Sequence, residues 1–204
     1  MVSDLASTRI AADLFEGLSR FDAGGNAEAG LADRWETSTD GRNWTFHLRP
    51  DLTFSDGSKL SATVFQRAFE RISDQKSGSP HGALFGIISS VEVPNAHTVI
   101  VRLKNPFPQL PALLAHPAMA ALPFHRIDAV GDKWTSERPL VTSGAYRLTN
   151  WQLSQKLTLD ANPLWHGGRP QTPRIIWQPM ENLNSAMRQV LSGGADIGSE
   201  YTPA

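Results

Sequence analysis

Six histidines are the residues of this chain best suited to bind a metal ion or to transfer protons. A zinc site needs imidazoles one helical turn apart, joined by further nitrogen, sulfur or carboxylate ligands. The histidines are spread singly along the chain, without such a pair and without a second carboxylate motif: His47, His81, His97, His116, His125 and His166. The pattern predicts no metal site.

No motif for nucleophilic catalysis or phosphate binding is present either. The chain has no cysteine, which excludes disulfides, thiolate zinc sites and thiol nucleophiles. Ser143 follows Thr142 instead of the Gly-x of a nucleophile elbow, so we expect a structural turn there. The pairs Gly24-Gly25 and Gly193-Gly194 lack the lysine and the spacing of a phosphate-binding loop. We therefore expect no enzyme and no cofactor.

Composition narrows the possible partners. The 204 residues are 40% hydrophobic and 19% charged, and 19 basic against 20 acidic side chains leave a formal net charge of −1. Nucleic acids and anionic membranes need concentrated positive charge, so neither is an expected partner. No apolar run approaches the roughly 20 residues that span a bilayer. Residues 1–5 lack the pattern of a signal peptide. A secreted domain whose leader has been removed would lack this pattern as well.

Alternation of apolar and polar residues gives the clearest structural prediction. Trp44, Phe46 and Leu48 alternate with Thr45 and His47, which predicts a strand with the first three facing inward. The same reasoning predicts strands over residues 52–54, 87–93, 98–103, 146–151, 156–160 and 174–178, and the start of another at 195–197. Residues 24–30 and 73–82 are expected to be loops.

Helical periodicity predicts five helices between these strands. They cover residues 7–18, a segment capped by Ser61 that runs to 72, residues 110–115, a segment after Pro123, and residues 182–191. Strand pairs broken by occasional helices indicate an α+β fold.

The aromatic residues have two possible roles. Trp35, Trp44, Trp151 and Trp177 occur in strand or helix-end patterns, where packing in the core is the expected role. Phe85 and Trp165 lie in loop segments, where an exposed ring would be able to line a groove.

Short blocks along nearly the whole chain carry a family resemblance. They are residues 12–18, 44–49, 55–57, 97–99, 116–117, 131–135, 141–146, 150–151, 162–163 and 193–196. Each block alone is weak, but together they keep the order and nearly the spacing found in one family. The chain resembles the extracytoplasmic solute-binding proteins of ABC importers, and within them the oligopeptide-binding branch.

This resemblance implies a fold and a domain division. The expected fold is α+β, the first lobe of a type II periplasmic binding protein with an inserted, smaller α+β subdomain and with the second lobe absent. Residues 1–37 and 146–204 would form the sheet region of the first lobe, and residues 38–145 the small extra subdomain. A hinge to the second lobe is expected near residues 195–204.

The resemblance also implies a function. The protein would be the substrate-binding component of an ABC importer in the periplasm, a monomer that captures a peptide and delivers it to a permease in the inner membrane. Two alternatives stay open: a ligand-sensing module of a regulatory protein that uses the same lobe, and a binder of another solute such as a nickel chelate or an oligosaccharide.

By position in the family, four residues correspond to ligand contacts of the first lobe: Leu5, His81, Ser199 and Glu200. His81 stands where the family usually has a tyrosine, and Ser199-Glu200 replaces amide residues. An imidazole can still offer a face and a hydrogen bond. The alternative, that these are ordinary loop residues, stays open.

Overall fold

The computed structural model describes residues 5–74, 81–180 and 182–198, with the side chains of Leu5, Ala6 and Asp132 left aside. The helices are α1 (Leu5–Leu14), α2 (Thr63–Ser73), α3 (Leu110–Leu114), α4 (Phe124–Val130) and α5 (Leu183–Leu191). The strands are β1 (Ser19–Phe21), β2 (Ala27–Ala29), β3 (Ala32–Thr37), β4 (Asn43–Leu48), β5 (Ile88–Asn95), β6 (Thr98–Leu103), β7 (Tyr146–Gln152), β8 (Lys156–Ala161) and β9 (Arg174–Trp177). Two 3₁₀ segments span Pro117–Met119 and Gly131–Ser136. The mixed content agrees with the expected α+β class.

A four-stranded antiparallel sheet, in the order β3-β4-β6-β5, forms the larger layer. Trp44, Phe46 and Leu48 face inward, at 8%, 0% and 6% exposure, and Phe46 pairs with Val99 across the sheet. The predicted register of β4 is therefore confirmed. Helix α2 covers this face with its apolar stripe, which consists of Val64, Phe65, Ala68 and Ile72.

A smaller antiparallel sheet, in the order β7-β8-β9, packs against the end of α1. Its hydrophobic cluster joins Leu148 and Leu159 of the sheet to Leu14, Phe15 and Trp134. Because Trp134 comes from the 3₁₀ segment Gly131–Ser136, the residues between 38 and 145 also help to bury this sheet. The division of the chain at residues 37/38 and 145/146 stays a prediction.

Helix α1 is shorter than the predicted 7–18 and ends at Leu14. The next residues use their backbone groups elsewhere, since the N–H of Leu31 donates to Gly17 O and the N–H of Ala32 to Leu18 O. At Gly17 an added Cβ would lie 2.5 Å from the carbonyl oxygen of Leu114. The close approach of two backbones thus requires glycine and ends the helix.

Two strand predictions and one loop prediction differ from the structure. Residues 52–54 make only an isolated bridge, Thr53 with Lys59, because the turn at Gly57 (φ 83°) folds the chain back at once. Residues 24–30 were expected to be a loop but contain β2, which pairs with β1. Residues 195–197 form no strand in the part that the structure describes, and the N–H of Ala195 donates back to Gln189 O.

The start of α2 also differs. Ala62, not Ser61, is the residue before the helix, and no side chain caps it. The hydroxyl of Ser61 lies 2.9 Å from that of Thr63 instead. The N–H of Ala62 donates to Ala96 O at 2.9 Å, so a tertiary contact determines where the chain enters the helix.

The prediction that Trp151 packs in the core is wrong, because its side chain is 45% exposed. The role of Phe85 was open, and the structure buries it in the core at 1% exposure. The indole of Trp151 lies under the guanidinium of Arg138, 5.2 Å from the ring centroid.

Within the described residues, no helix combines the length and the apolar character required to cross a membrane.

Candidate functional site

Of the four predicted contact residues, His81 is the one whose side chain the structure describes. It packs against His116, a residue that was not among the predicted contacts. Their ring centroids are 4.9 Å apart, with an angle of 56° between the planes. His81 begins the turn at residues 81–87, and His116 lies between α3 and the 3₁₀ segment Pro117–Met119. Both residues are half-buried. Neither helix nor strand carries His81, so the turn itself must hold it.

A buried aromatic ring anchors that turn. The N–H groups of Leu84 and Phe85 both donate to the carbonyl oxygen of His81, at 3.0 and 3.4 Å. Phe85 then places its ring in the core, 6.0 Å from the ring of His116 and nearly perpendicular to it. Burial of a phenylalanine side chain contributes about 2–3 kcal/mol. This contribution fixes one end of a turn that is otherwise rich in small residues.

His116 has a defined protonation pattern. Its Nδ1 accepts a hydrogen bond from the backbone N–H of Ala118 at 3.1 Å, so the proton of the neutral ring is on Nε2. Burial lowers the pKa of His116 below its ordinary value, and the neighbouring His81 lowers it further. At neutral pH the ring is therefore uncharged and presents Nε2–H as a donor.

The other predicted contacts are less well defined by the structure. Leu5 is the first residue of α1, and its side chain is not among those described. Ser199 and Glu200 lie outside the described residues. Sequence reasoning identified His116 only as part of a His-Pro block. No local pattern links residues 81 and 116, since a tertiary contact alone brings them together.

A cleft of about 560 Å³ lies at the end of α1, lined in part by Phe15, Phe21, Tyr146 and Trp165. The buried carboxylate of Glu16 forms one wall. Its Oε2 accepts hydrogen bonds from Trp165 Nε1 at 2.7 Å and from His166 Nε2 at 2.9 Å. Its Oε1 lies 3.6 Å from Arg20 Nη1. Trp165 thus lines a cleft, which is one of the two roles that its sequence position left open.

Ser143 and Gly144 attach their segment to the chain around Glu16, at the edge of the same cleft. Ser143 is 2% exposed, accepts a hydrogen bond from the Glu16 N–H at 3.2 Å and donates to Ala121 O at 2.7 Å. The N–H of Gly144 donates to Leu14 O at 2.8 Å. The hydroxyl therefore serves as a buried structural link, which confirms the expected turn.

One constellation contains the residue types of a serine hydrolase but not the geometry. His125 Nε2 lies 2.9 Å from Asp56 Oδ2 and 3.4 Å from Ser58 Oγ. A catalytic triad needs the acid on one ring nitrogen and the nucleophile on the other. Here both contact Nε2, and Ser58 donates to Asp56 Oδ1 at 2.6 Å. The group stabilises the turn at residues 55–58 and is not arranged for catalysis.

Metal-binding groups are likewise not assembled. In residues 5–74, 81–180 and 182–198, no three histidine, aspartate or glutamate side chains converge as a metal site would require.

Comparison with known proteins gives a consistent picture. The model of the family described as bacterial extracellular solute-binding proteins, family 5 Middle, matches residues 26–204. The periplasmic oligopeptide-binding protein OppA of Salmonella typhimurium is 29% identical over 220 residues, which is 99% of this chain and 40% of that protein. The probable deoxycholate-binding periplasmic protein YgiS of Escherichia coli is 31% identical, over 96% of this chain and 40% of its own length.

Solved structures show the same similarity. The OppA of Haemophilus influenzae, in complex with the peptide RPPGFSPFR, superimposes with a TM-score of 0.90 over 95% of this chain and 41% of its own, at 26% identity. An oligopeptide-binding protein of Borrelia burgdorferi gives a TM-score of 0.89 over 96% of this chain and 43% of its own, also at 26% identity. The chain thus spans about 40% of the length of the curated relatives it matches.

Proposed function

The chain belongs to family 5 of the bacterial extracellular solute-binding proteins, and from this membership we propose that it acts in the substrate-binding component of an ABC importer. In this function it captures peptides outside the cytoplasm and delivers them to a permease in the inner membrane. A periplasmic location fits the relatives, several of which carry that word in their names.

The observation that carries this proposal is the superposition on a peptide-bound relative. The Haemophilus protein matches 95% of this chain with a TM-score of 0.90, and it is the complex with a nine-residue peptide. A fold alone does not determine a ligand. The match supports peptides because it covers nearly the whole of this chain in a relative whose crystal contains one.

A second lobe is part of the proposal. Peptide-binding proteins of this kind hold their ligand by backbone hydrogen bonds, much as a sheet holds an added strand. One wall alone would leave many polar groups of the peptide in water, whereas a closed cleft buries most of a ligand. We place the hinge between the lobes near residues 195–204, and closure around the ligand then selects the form that the permease binds.

Leu5, His81, Ser199 and Glu200 are the proposed contacts of this lobe. Of these, His81 has the most physical support, since the buried Phe85 anchors its turn and the ring of His116 packs beside it. An imidazole in that position can stack on a ligand side chain and hydrogen-bond through its edge.

The proposed protein is a monomeric binding protein without catalytic activity, and nucleic acid is not among its partners. The group at Asp56, Ser58 and His125 supports the absence of catalysis. Its carboxylate and its hydroxyl contact the same nitrogen of the His125 ring, so the ring cannot pass a proton from one to the other. The net charge of −1 supports the absence of a nucleic-acid partner.

Calorimetric titration of the full-length protein tests the proposal. The probes are a mixed tetrapeptide library, a maltooligosaccharide and a nickel chelate. We expect binding of peptides with a Kd of about micromolar or tighter, and no heat from the other two probes. Binding of the sugar or the chelate, with none of any peptide, would refute the peptide assignment while leaving the family membership intact.

A further inference from the structure

His116 carries a hydrogen-bond donor that the described part of the protein leaves unused. Because its Nδ1 accepts from the N–H of Ala118 at 3.1 Å, the proton of the neutral ring is on Nε2. No group within residues 5–74, 81–180 and 182–198 accepts a hydrogen bond from that Nε2–H. The donor is not enclosed either, since it is not among the buried side-chain atoms that lack a partner. A ligand is therefore able to reach it.

Three contacts hold the ring of His116 in one orientation. The N–H of Ala118 bonds to one edge of the ring. The ring of His81 packs beside it, with centroids 4.9 Å apart, and the buried ring of Phe85 meets it at 6.0 Å and an angle of 69°. A donor whose direction is already fixed loses little conformational entropy when it binds a ligand.

The charged residues around His116 leave its ring neutral at neutral pH. Residues 81–87 and 107–119 contain no Asp, Glu, Lys or Arg. Helix α3, before His116, packs on β1 and β2, whose residues Arg20 and Glu28 pair with each other. None of the nearby charges is among the causes that shift the pKa of His116, which are burial and then His81, and both lower it. The other charged residues on elements packed against these two segments are Arg9 and Asp13 of α1, Arg67, Glu70 and Arg71 of α2, and Lys104 after β6.

The acceptor that fits this donor best is uncharged. A carboxylate gains most from a charged donor, whereas the ring of His116 is neutral. Main-chain carbonyls are strong, uncharged acceptors, and every peptide has them. Proteins that bind extended peptides hold them largely through main-chain hydrogen bonds. A peptide carbonyl next to the proposed contact His81 therefore matches the Nε2–H of His116.

We propose that His116 is a further ligand contact of this lobe and donates its Nε2–H to a main-chain carbonyl of the bound peptide. This inference rests on the proposed peptide-binding function and adds a residue to it. Because every peptide offers such a carbonyl, the contact strengthens the binding of peptides whatever their side chains are.

Two substitutions of His116 separate the roles of its two nitrogens. His116→Asn keeps an oxygen where Nδ1 accepts from Ala118, and asparagine is favourable before a helical turn, but its amide nitrogen does not extend to the position of Nε2. His116→Gln is one bond longer, so its amide nitrogen reaches that position, while the N–H of Ala118 loses its acceptor. Loss of the ligand contact and loss of the structural bond thus fall on different variants.

Calorimetric titration of the full-length protein uses tetra-alanine, tetraserine and tetralysine as probes. We expect His116→Asn to bind each peptide about fivefold more weakly than the wild type, and His116→Gln to stay within about twofold. Thermal melts should give the opposite order, with a Tm near that of the wild type for His116→Asn and a lower Tm for His116→Gln. His97→Asn, in the exposed β5–β6 turn, is the matched control and should change neither quantity.

Nuclear magnetic resonance of the full-length wild type with isotopically labelled histidine observes the donor directly. The signal of the His116 side-chain N–H is identified by its loss in His116→Asn. In the free protein we expect this proton to exchange rapidly with water. Saturation with tetra-alanine should slow the exchange, because a hydrogen bond to the peptide protects the proton, and the ring should keep its proton on Nε2.

The outcomes separate this inference from the proposed function. If the peptides bind but His116→Asn binds them as tightly as the wild type, or if peptide leaves the exchange of the Nε2–H unchanged, the contact is refuted and peptide binding stands. Affinities that follow the Tm values of the two variants assign His116 a structural role and also refute it. If none of the three peptides binds, the proposed function itself fails, and this inference fails with it.

Discussion

The indole of Trp165 donates a hydrogen bond of 2.7 Å to the carboxylate of Glu16, although 149 residues separate them in sequence. His166 adds a second contact to the same oxygen at 2.9 Å. Together they attach the segment after β8 to the end of α1. Because Glu16 is 6% exposed, its carboxylate needs such partners to offset the cost of leaving water.

Removal of this carboxylate gives the first prediction. Glu16→Ala should lower the free energy of unfolding by about 2–3 kcal/mol, because it leaves the half-buried donors of Trp165 and His166 without an acceptor. The matched control is Glu28→Ala, which breaks the exposed pair between Arg20 and Glu28 and should cost less than about 1 kcal/mol. Denaturant melts measure both, and equal losses would show that Glu16 is not a structural link.

The core of the larger sheet gives the second prediction. Phe46 is 0% exposed and lies between α2 and the sheet. Phe46→Ala should cost about 3–5 kcal/mol through lost burial and the cavity left behind. Thr45→Ala, on the opposite face of the same strand, should cost about 1 kcal/mol or less. A near-neutral result for Phe46→Ala in a denaturant melt would contradict the register of β4.

A half-buried carboxyl on α1, that of Asp13, gives the third prediction. Burial raises the pKa of Asp13 above its ordinary value of 3.8, and a hydrogen bond from Trp177 partly opposes this. Since the folded-state pKa is the higher one, the contribution of Asp13 to stability is complete below about pH 3.8 and is lost as the pH rises through the folded-state value.

Asp13→Asn removes the loss of stability that follows ionisation of Asp13, because an amide carries no charge. Its oxygen can still accept the hydrogen bond from Trp177. The variant should therefore have a higher Tm than the wild type at neutral pH, and the gap should close as the pH approaches the ordinary aspartate value. Thermal melts across the acid range give the comparison, and Asp33→Asn, at an exposed position of β3, is the control. A Tm difference between variant and wild type that grows towards acid pH would contradict a raised pKa of Asp13.

The fourth prediction concerns His81 in the full-length protein. His81→Ala should weaken the binding of a neutral peptide by about fivefold, the equivalent of about 1 kcal/mol for one hydrogen bond or stacking contact. His97→Ala, in the exposed turn of the larger sheet, should leave the Kd unchanged within error. Unchanged affinity for several peptides in the His81 variant would exclude His81 from the site.

The sequence predicted those features that depend on neighbouring residues. The alternation at residues 44–48 determined both a strand and its inward face, and the runs around residues 94–97 determined a hairpin, since these patterns need only the period of a strand and a turn. The ordered blocks along the chain likewise identified the family, which the family model and the structural superpositions support.

Tertiary contacts decided the rest. Helix α1, for example, ends early because its next backbone groups bond to residues 31 and 32. Whether an aromatic ring is buried, like Phe85 in its turn, or exposed, like Trp151 on β7, depends on which segment packs over it.

The candidate site shows the same division. His81 was singled out from its place in the chain, but its neighbour His116 is invisible to local pattern, as are the partners of Glu16 at residues 165 and 166. The hydrophobic period of a sequence fixes which face of an element is buried. It does not fix which distant segment covers that face, because this depends on the mutual fit of side chains that meet only when the chain has folded.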